Sequence, residues 1–444
     1  MDISDLFSLH RLTYSGGITL EEKENNASEF RSDFLRDHDR IIYSNPFRRL
    51  SKKTQVHPLS QNDHVHNRLT HSLETATVGR SLGYRFGKWL IDNDPDFPYY
   101  PHDTASIIQT ACLAHDIGNP PFGHAGEEAI KNWFKERIES TPDLFEELSD
   151  EQRNDFTRID GNAQSFRIVS QLENYPFEGG MRLTATSYAA MIKYPWDSGH
   201  PTAIEKDKFC FYQGDLDIAR LIFEHFGLYK NGVFKRHPLS YLTEVSDDIC
   251  YALLDLQDAV ELKLIRIEDV KHIFRDICGE ERLKNVLDNS KLNDAKKVGH
   301  LCGIAINDLT LHAFDVFIDC LENERFQKDL VSSFTREGFK EGLVEAKRFA
   351  AKNIYTEKRK LEIEIGSFLV IETLLEEFIT AAHAFHTSKN PGSKTERLLK
   401  MMDECRMEQN STLYSKYQRV LDYIIGMTDN YATYIAGQLR GIHF

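Results

Sequence analysis

The stretch Cys112–Ile130, CLAHDIGNPPFGHAGEEAI, decides how this chain is read. Before it, Ile107, Ala111 and Ala114 recur at helical spacing, and the run stops at Gly118, with Pro120 and Pro121 unable to carry a helix onward. His115 and Asp116 therefore fall in the last turn. Neighbouring helical side chains diverge by about 100°, so both can serve one ion only off the helix end, where the break makes room. Alone, such a pair is more often a histidine settling a helix C-terminus beside an acid. Past the break, His124 and Glu127 stand three apart on one face of the next helix. A carboxylate so placed orients an imidazole and raises its basicity, which makes the two a general acid–base pair.

Working outward, the dominant period is helical. Val78, Leu82, Phe86 and Trp89 form one helix face, and Ile130, Phe134 and Ile138 another. Strand-like alternation is scarce, with one short β-ribbon expected at KNGVF, 230–234. The fold expected is all-α, a single helical body over 1–444 without repeats, with loops at 94–103, 141–157, 196–208 and 387–396.

Hydrophobic residues at 41% and charged residues at 28% fit a globular chain, and no uninterrupted apolar run approaches the roughly 18 residues of a membrane span. The opening MDISDLFSLHRLTYSGG lacks the features of a secretory signal, so a cytoplasmic protein with no membrane partner is expected. Seven scattered cysteines without CxxC spacing read as reduced packing residues. The net charge of −15 disfavours a surface built to coat nucleic acid, so an anionic ligand needs a local basic pocket. NPFRRLSKKTQ gathers Arg48, Arg49, Lys52 and Lys53 for one, and Arg68 follows.

Further metal-ligand candidates lie on two other segments. NRLTHSLETA places His71 near a helix start, one turn after Arg68. In EVSDDICYALLDLQDAV, Asp247, Tyr251 and Asp255 share a polar stripe, away from Ile249, Leu253, Leu256 and Val260. A set of two histidines and two aspartates drawn from His71, His115, Asp116 and either Asp247 or Asp248 is a nitrogen–oxygen shell without thiolate. Such a shell suits Mn²⁺, Mg²⁺, Fe²⁺, Co²⁺ or Ni²⁺ better than structural zinc.

Seven segments, FRRLSKKTQV (47–56), RLTHSLE (68–74), HDIGNPPFGHAGE (115–127), DGNAQSFRI (160–168), IKYPW (192–196), SDDICYALLDLQDA (246–259) and GMTDNYA (426–432), together resemble the HD-domain deoxynucleoside triphosphate triphosphohydrolases, the dGTPase family. The resemblance implies an HD-domain helical phosphohydrolase fold, with a core at 65–260 and further helices at 261–444 packed on it. It implies a divalent metal, Mn or Mg foremost, on His71, His115, Asp116 and Asp247, with Asp248 the alternative fourth ligand. The implied reaction is attack of water on the α-phosphate of a dNTP, dGTP favoured, releasing deoxynucleoside and tripolyphosphate. His124, supported by Glu127, would protonate the 5′-oxygen. Arg68 and Lys193 would face the triphosphate, Gln55 and Asp255 the 3′-hydroxyl, Tyr251 the sugar, and Asn162 and Tyr194 the rest of the substrate pocket.

Two departures from the family pattern stand out. Asp160 stands where glutamate is frequent, which would adjust a helix start without removing a ligand, and 361–378 holds no arginine to read a base. Family members also form homo-oligomers, often hexamers, and some respond to a second nucleotide or to single-stranded DNA. Two other readings compete: an HD phosphohydrolase acting on another nucleotide, and a non-catalytic nucleotide-binding regulator. The Lys193–Tyr194 pair and the Tyr251/Asp255 face weigh against the first, and an intact His124–Glu127 pair against the second.

Overall fold

Asn67 starts the helix that organises the molecule. Its side chain accepts from the Thr70 backbone N–H at 3.0 Å while Thr70 caps it in return, closing both ends of a capping box for α1, Arg68–Asn93. Pro101 then opens α2, Pro101–Ala114, at the position where a missing N–H costs nothing. The chain continues through α3 (His124–Ser140), α4 (Gly161–Arg167), α5 (Leu239–Glu261), α6 (Asp294–Glu322), α7 (Phe339–Asn353), α8 (Lys358–Thr387), α9 (Leu413–Ile425) and α10 (Asp429–Leu439), with shorter helices between. This is a computed structural model, and it describes residues 3–14, 17–22, 31–55, 65–173, 180–355, 358–388, 390–402 and 405–442.

The architecture is all-α, with two small antiparallel ribbons among the described residues. The expected ribbon pairs Tyr229–Lys230 with Val233–Phe234 across Asn231 and Gly232, both left-handed at φ 54° and 81°. The other, Arg11–Thr13 with Thr19–Glu21, gave no sequence cue because each strand is only three residues long. All four expected loops overlap helices: Pro101–Ala114 begins inside 94–103, Asp150–Arg158 lies in 141–157 but for its last residue, Pro201–Lys206 lies within 196–208, and Ser393–Met401 begins inside 387–396. Asp150–Arg158 and Pro201–Lys206 are polar helices with side-chain N-caps, whereas Gly392 ahead of Ser393 offers none. Ser149, for example, accepts from the Gln152 N–H.

The tightest pairing is α1 on α2, and glycine makes it possible. A Cβ on Gly79 would lie 2.5 Å from Cys112 Sγ, on Gly83 2.6 Å from the Thr104 carbonyl, and on Gly87 2.6 Å from Pro101 Cα. At i, i+4, i+8 they form a groove in which α2 lies nearly backbone to backbone. Helix α5 crosses this pair, and α6 and α7 pack on α5. Helix α6 alone, among the described residues, has the length and apolarity of a membrane span, yet Val298, Leu301, Ala305, Leu309, Ala313 and Phe317 are fully buried in the core.

Two apolar clusters result. One surrounds α1, α2, α5, α6 and α7; the other is built from α3, α8, α9 and α10. The segment between Ile117, in the first cluster, and Phe122, in the second, is the crossing.

Gly83→Ala should cost about 1–3 kcal/mol in urea unfolding, because its methyl meets backbone that cannot move aside. Gly303→Ala, in the exposed interior of α6 with nothing within 4 Å of the new methyl, should be neutral or stabilising by up to about 1 kcal/mol.

Candidate active site

The crossing places the chemistry. Helix α2 ends at Ala114, with His115 as its cap residue and Asp116 just beyond, so both point off the helix end. Gly118 does not stop the helix through a left-handed turn, as its sequence position suggested. A Cβ there would strike the Ser165 N–H and the Gly161 carbonyl, so it is the contact point for α4. The left-handed residues are Phe122 (φ 64°) and Gly123 (φ 59°), which turn the chain into α3. For a phenylalanine this conformation costs on the order of 1–3 kcal/mol, so its surroundings must impose it.

Three segments converge on one cluster. His71, from the first turn of α1, sets its Nε2 3.1 Å from Asp247 Oδ1; His115 sets its Nε2 3.4 Å from the same oxygen and 3.5 Å from Asp116 Oδ1. His115 Nδ1 donates to the Cys112 carbonyl at 2.6 Å, which directs its other nitrogen inward. Donor atoms of His71, His115 and Asp116 all lie within 4.8 Å of one another, a group that could hold a metal ion, and its nitrogen and oxygen donors fit the divalent ions expected. Burial works against charge here but loses. Arg68, then His115 and His71, hold Asp116 far below the carboxylate range; Lys193, then His115, do the same for Asp247; and Asp116 and Asp247 keep His115 above its usual value. Asp248 turns the other way, accepting from Lys347 on α7 at 2.5 Å.

Cationic groups line the same pocket. Arg68 donates to Asp116 Oδ2 at 2.8 Å, Lys193 to Asp247 Oδ2 at 2.5 Å, and Lys208 lies 3.8 Å from Asp160. The basic pocket expected at 48–53 does not form. Lys53 is buried, its ammonium donating to the Asn119 carbonyl at 2.6 Å and the Ile425 carbonyl at 2.7 Å, and burial together with Arg49 and Arg68 lowers it to about 7. Lys208 and Asn119 escaped sequence reading. Lys208 sits in a stretch read as loop and is brought in because the Phe209 N–H bonds Asp160. Asn119 looked like part of a helix break, yet its amide donates to Asp116 Oδ1 at 2.5 Å.

Across the pocket, His124 opens α3 with three quarters of its side chain exposed, and its Nδ1 lies 3.3 Å from Glu127 Oε2. Glu127 is buried, accepts from the Gly161 N–H at 2.8 Å through its other oxygen, and is held at about 2: burial resists, but His124, Lys208 and Lys131 prevail. Asp160 caps α4, accepting from the Asn162 N–H at 2.8 Å, the helix-start role expected of it. Asn162, Tyr194, Tyr251 and Gln55 line the pocket, and Gln55 Oε1 is buried with no hydrogen-bond partner among the described residues. Asp255 does not line it. Its carboxylate accepts from Tyr355, whose hydroxyl is also 2.6 Å from that of Tyr251, and burial raises it to about 7.

Known proteins match this sequence. Residues 68–181 match the HD domain family and residues 334–437 the phosphohydrolase-associated domain. A deoxyguanosinetriphosphate triphosphohydrolase-like protein of Pseudomonas aeruginosa (strain LESB58) is 42% identical over 420 residues, spanning 93% of this chain and 94% of that one. The chain belongs to this HD-domain triphosphohydrolase-like family. A likewise named member from Synechocystis is 35% identical, covering 93% and 94% of the two chains, and the deoxyguanosinetriphosphate triphosphohydrolase of Salmonella typhimurium is 29% identical, covering 90% and 92%. This family member is therefore a hydrolase of the HD class.

One clamp in this HD hydrolase titrates. His66, just ahead of α1, donates through its N–H to Asp258 Oδ2 on α5 at 3.0 Å; its Nδ1 lies 2.5 Å from Asp258 Oδ1 and its Nε2 3.0 Å from Glu74. Burial lowers its pKa, but Asp258 and Glu74 together lift it from 6.5 to about 10. A raised folded-state pKa means the stabilisation is complete below about pH 6.5 and fades as pH rises through 10. His66→Gln should therefore lower urea stability by about 1–3 kcal/mol at pH 6, with the gap to wild type closing toward pH 10.

Proposed function

We propose that this chain hydrolyses deoxynucleoside triphosphates at the α-phosphate, dGTP favoured, releasing deoxynucleoside and intact tripolyphosphate. The observation that carries the reading is a single pocket with a two-histidine, two-aspartate cluster on one wall and an exposed histidine on a buried glutamate on another. The names of the Pseudomonas and Salmonella relatives support the substrate.

His71, His115, Asp116 and Asp247 would hold a divalent ion, Mn²⁺ or Mg²⁺ foremost and Fe²⁺, Co²⁺ or Ni²⁺ on the same donors. When bound, such an ion supplies Lewis-acid polarisation of the phosphate and a more acidic water. Arg68, Lys193 and Lys208 take phosphate oxygens, a local electrostatic grip within an otherwise acidic protein. Gln55 accepts the 3′-hydroxyl, and Asp255, through Tyr355, backs Tyr251. Tyr251 packs on the sugar, where a ring against C2′ excludes ribose, and Asn162 and Tyr194 border the nucleoside.

Water attacks the α-phosphorus and the bond to the 5′-oxygen breaks. The leaving alkoxide takes the Nε2 proton of His124 and departs as a hydroxyl, while the attacking water loses a proton to solvent. Glu127, anionic and anchored by the Gly161 N–H, accepts the other ring N–H and keeps the imidazolium in place. Homo-oligomeric assembly in the cytoplasm belongs to the same proposal. The exposed stripe of Leu361, Ile365 and Leu369 on α8, spaced at i, i+4 and i+8, supports the assembly.

Incubation with each dNTP and GTP, with Mn²⁺ or Mg²⁺, followed by anion exchange, tests the reading. Tripolyphosphate plus deoxynucleoside is expected, and pyrophosphate or orthophosphate as first product would overturn it. His124→Ala should lower kcat by about 10²- to 10⁴-fold while retaining metal. Asp247→Ala should release metal in an elemental assay and Asp248→Ala should not; the reverse result would move the fourth ligand to Asp248.

A further inference from the structure

The segment 426–432, GMTDNYA, puts no side chain on the pocket wall, yet Asp429 within it is 3% exposed and bonded to two distant parts of the chain. Its Oδ2 accepts from the Thr54 N–H at 3.0 Å and the Thr54 hydroxyl at 2.5 Å; its Oδ1 accepts from the Phe122 N–H at 2.9 Å. A carboxylate in the first turn of a helix is ordinarily at home on that helix's own N–H groups. In α10 that task falls to Thr428, whose hydroxyl accepts from the Tyr431 N–H at 3.3 Å. All three hydrogen bonds to the Asp429 carboxylate instead come from outside its helix.

Both partners adjoin the site. Thr54 immediately precedes Gln55, and Phe122 lies two residues before His124, inside the left-handed turn that aims α3. Lys53, beside Thr54, makes a parallel link through the carbonyls of Asn119 and Ile425. We infer that Asp429 is a positioning residue for hydrolysis, a carboxylate bridge from Thr54 to Phe122 that fixes the Gln55 wall relative to His124. It touches no substrate. Its effect runs through the direction of the His124 imidazole and the height of the Gln55 wall.

The inference rests on the reading of His124 as the acid for the 5′-oxygen, and the experiment separates the two. Full-length wild type, Asp429→Asn and Thr54→Val are compared on dGTP and on the analogue with sulfur as the bridging 5′ atom, whose thiolate leaves without a proton. Asp429→Asn keeps size and, with its carbonyl oxygen on the two Thr54 donors, turns its amide N–H₂ on the Phe122 N–H. It should lose about 10- to 100-fold in kcat on dGTP with KM within about threefold, and its bound metal should be unchanged. On the sulfur analogue the loss should shrink to less than about threefold. Thr54→Val, which removes one donor on the Gln55 arm, should raise KM and spare kcat.

Equal losses on both substrates, an unaltered kcat, or a fall in bound metal would each overturn the inference. If Asp429→Asn does not fold, Thr54→Val decides alone, and an unchanged KM refutes the bridge. A wild type that makes no tripolyphosphate from dGTP refutes the function beneath it, a result visible before any substitution is compared.

Discussion

Three glycines on one face of α1 set the distance on which the site depends. Because Gly79, Gly83 and Gly87 let α2 lie against α1 without intervening side chains, the residues beyond the contact are brought together as well. His71 lies N-terminal to the first glycine, His115 just past the Cys112 that meets it, and their rings come to 5.5 Å between centroids. Helix α5 crosses a pair already fixed, so one oxygen of Asp247 reaches both imidazoles. Packing at native density transmits such a spacing with little slack, and a donor set for one ion tolerates little.

Charge follows the same logic. A chain of net charge −15 keeps buried cations at the pocket, each against a carboxylate. Such pairs are costly to bury and do little for stability, but breaking one leaves an uncompensated charge in the interior. They arrive assembled, so Arg68 and Lys193 need not be ordered when an anion enters.

Much of this was legible in the sequence, and the failures have a common cause. His71, His115, Asp116, His124 and Glu127 could be named because helical spacing and a chain break constrain where they point. The choice of Asp247 over Asp248 could not be made from residues alone, since adjacent helical positions differ only in which neighbour they meet; α7, about a hundred residues on, supplies the Lys347 that turns Asp248 aside. Lys53 read as part of a basic pocket because nothing local reveals two carbonyls waiting inside. Lys208, Asn119 and the Asp429 bridge were invisible for the same reason. Their roles are created by contacts between segments far apart in sequence, and periodicity carries no information about those.

The reach of Asp429 also has a temporal meaning. Its bonds span 375 and 307 residues. During synthesis the helices carrying His71, His115 and Asp247 emerge early and can collapse on the glycine groove, since domains take shape from the N-terminus as they are made. The turn ahead of His124 then waits for Asp429, 307 residues further along the chain. His124, the proposed proton donor, is thus the last of these site residues to be fixed in place, and a chain cut short before α10 would carry His71, His115, Asp116 and Asp247 without it secured.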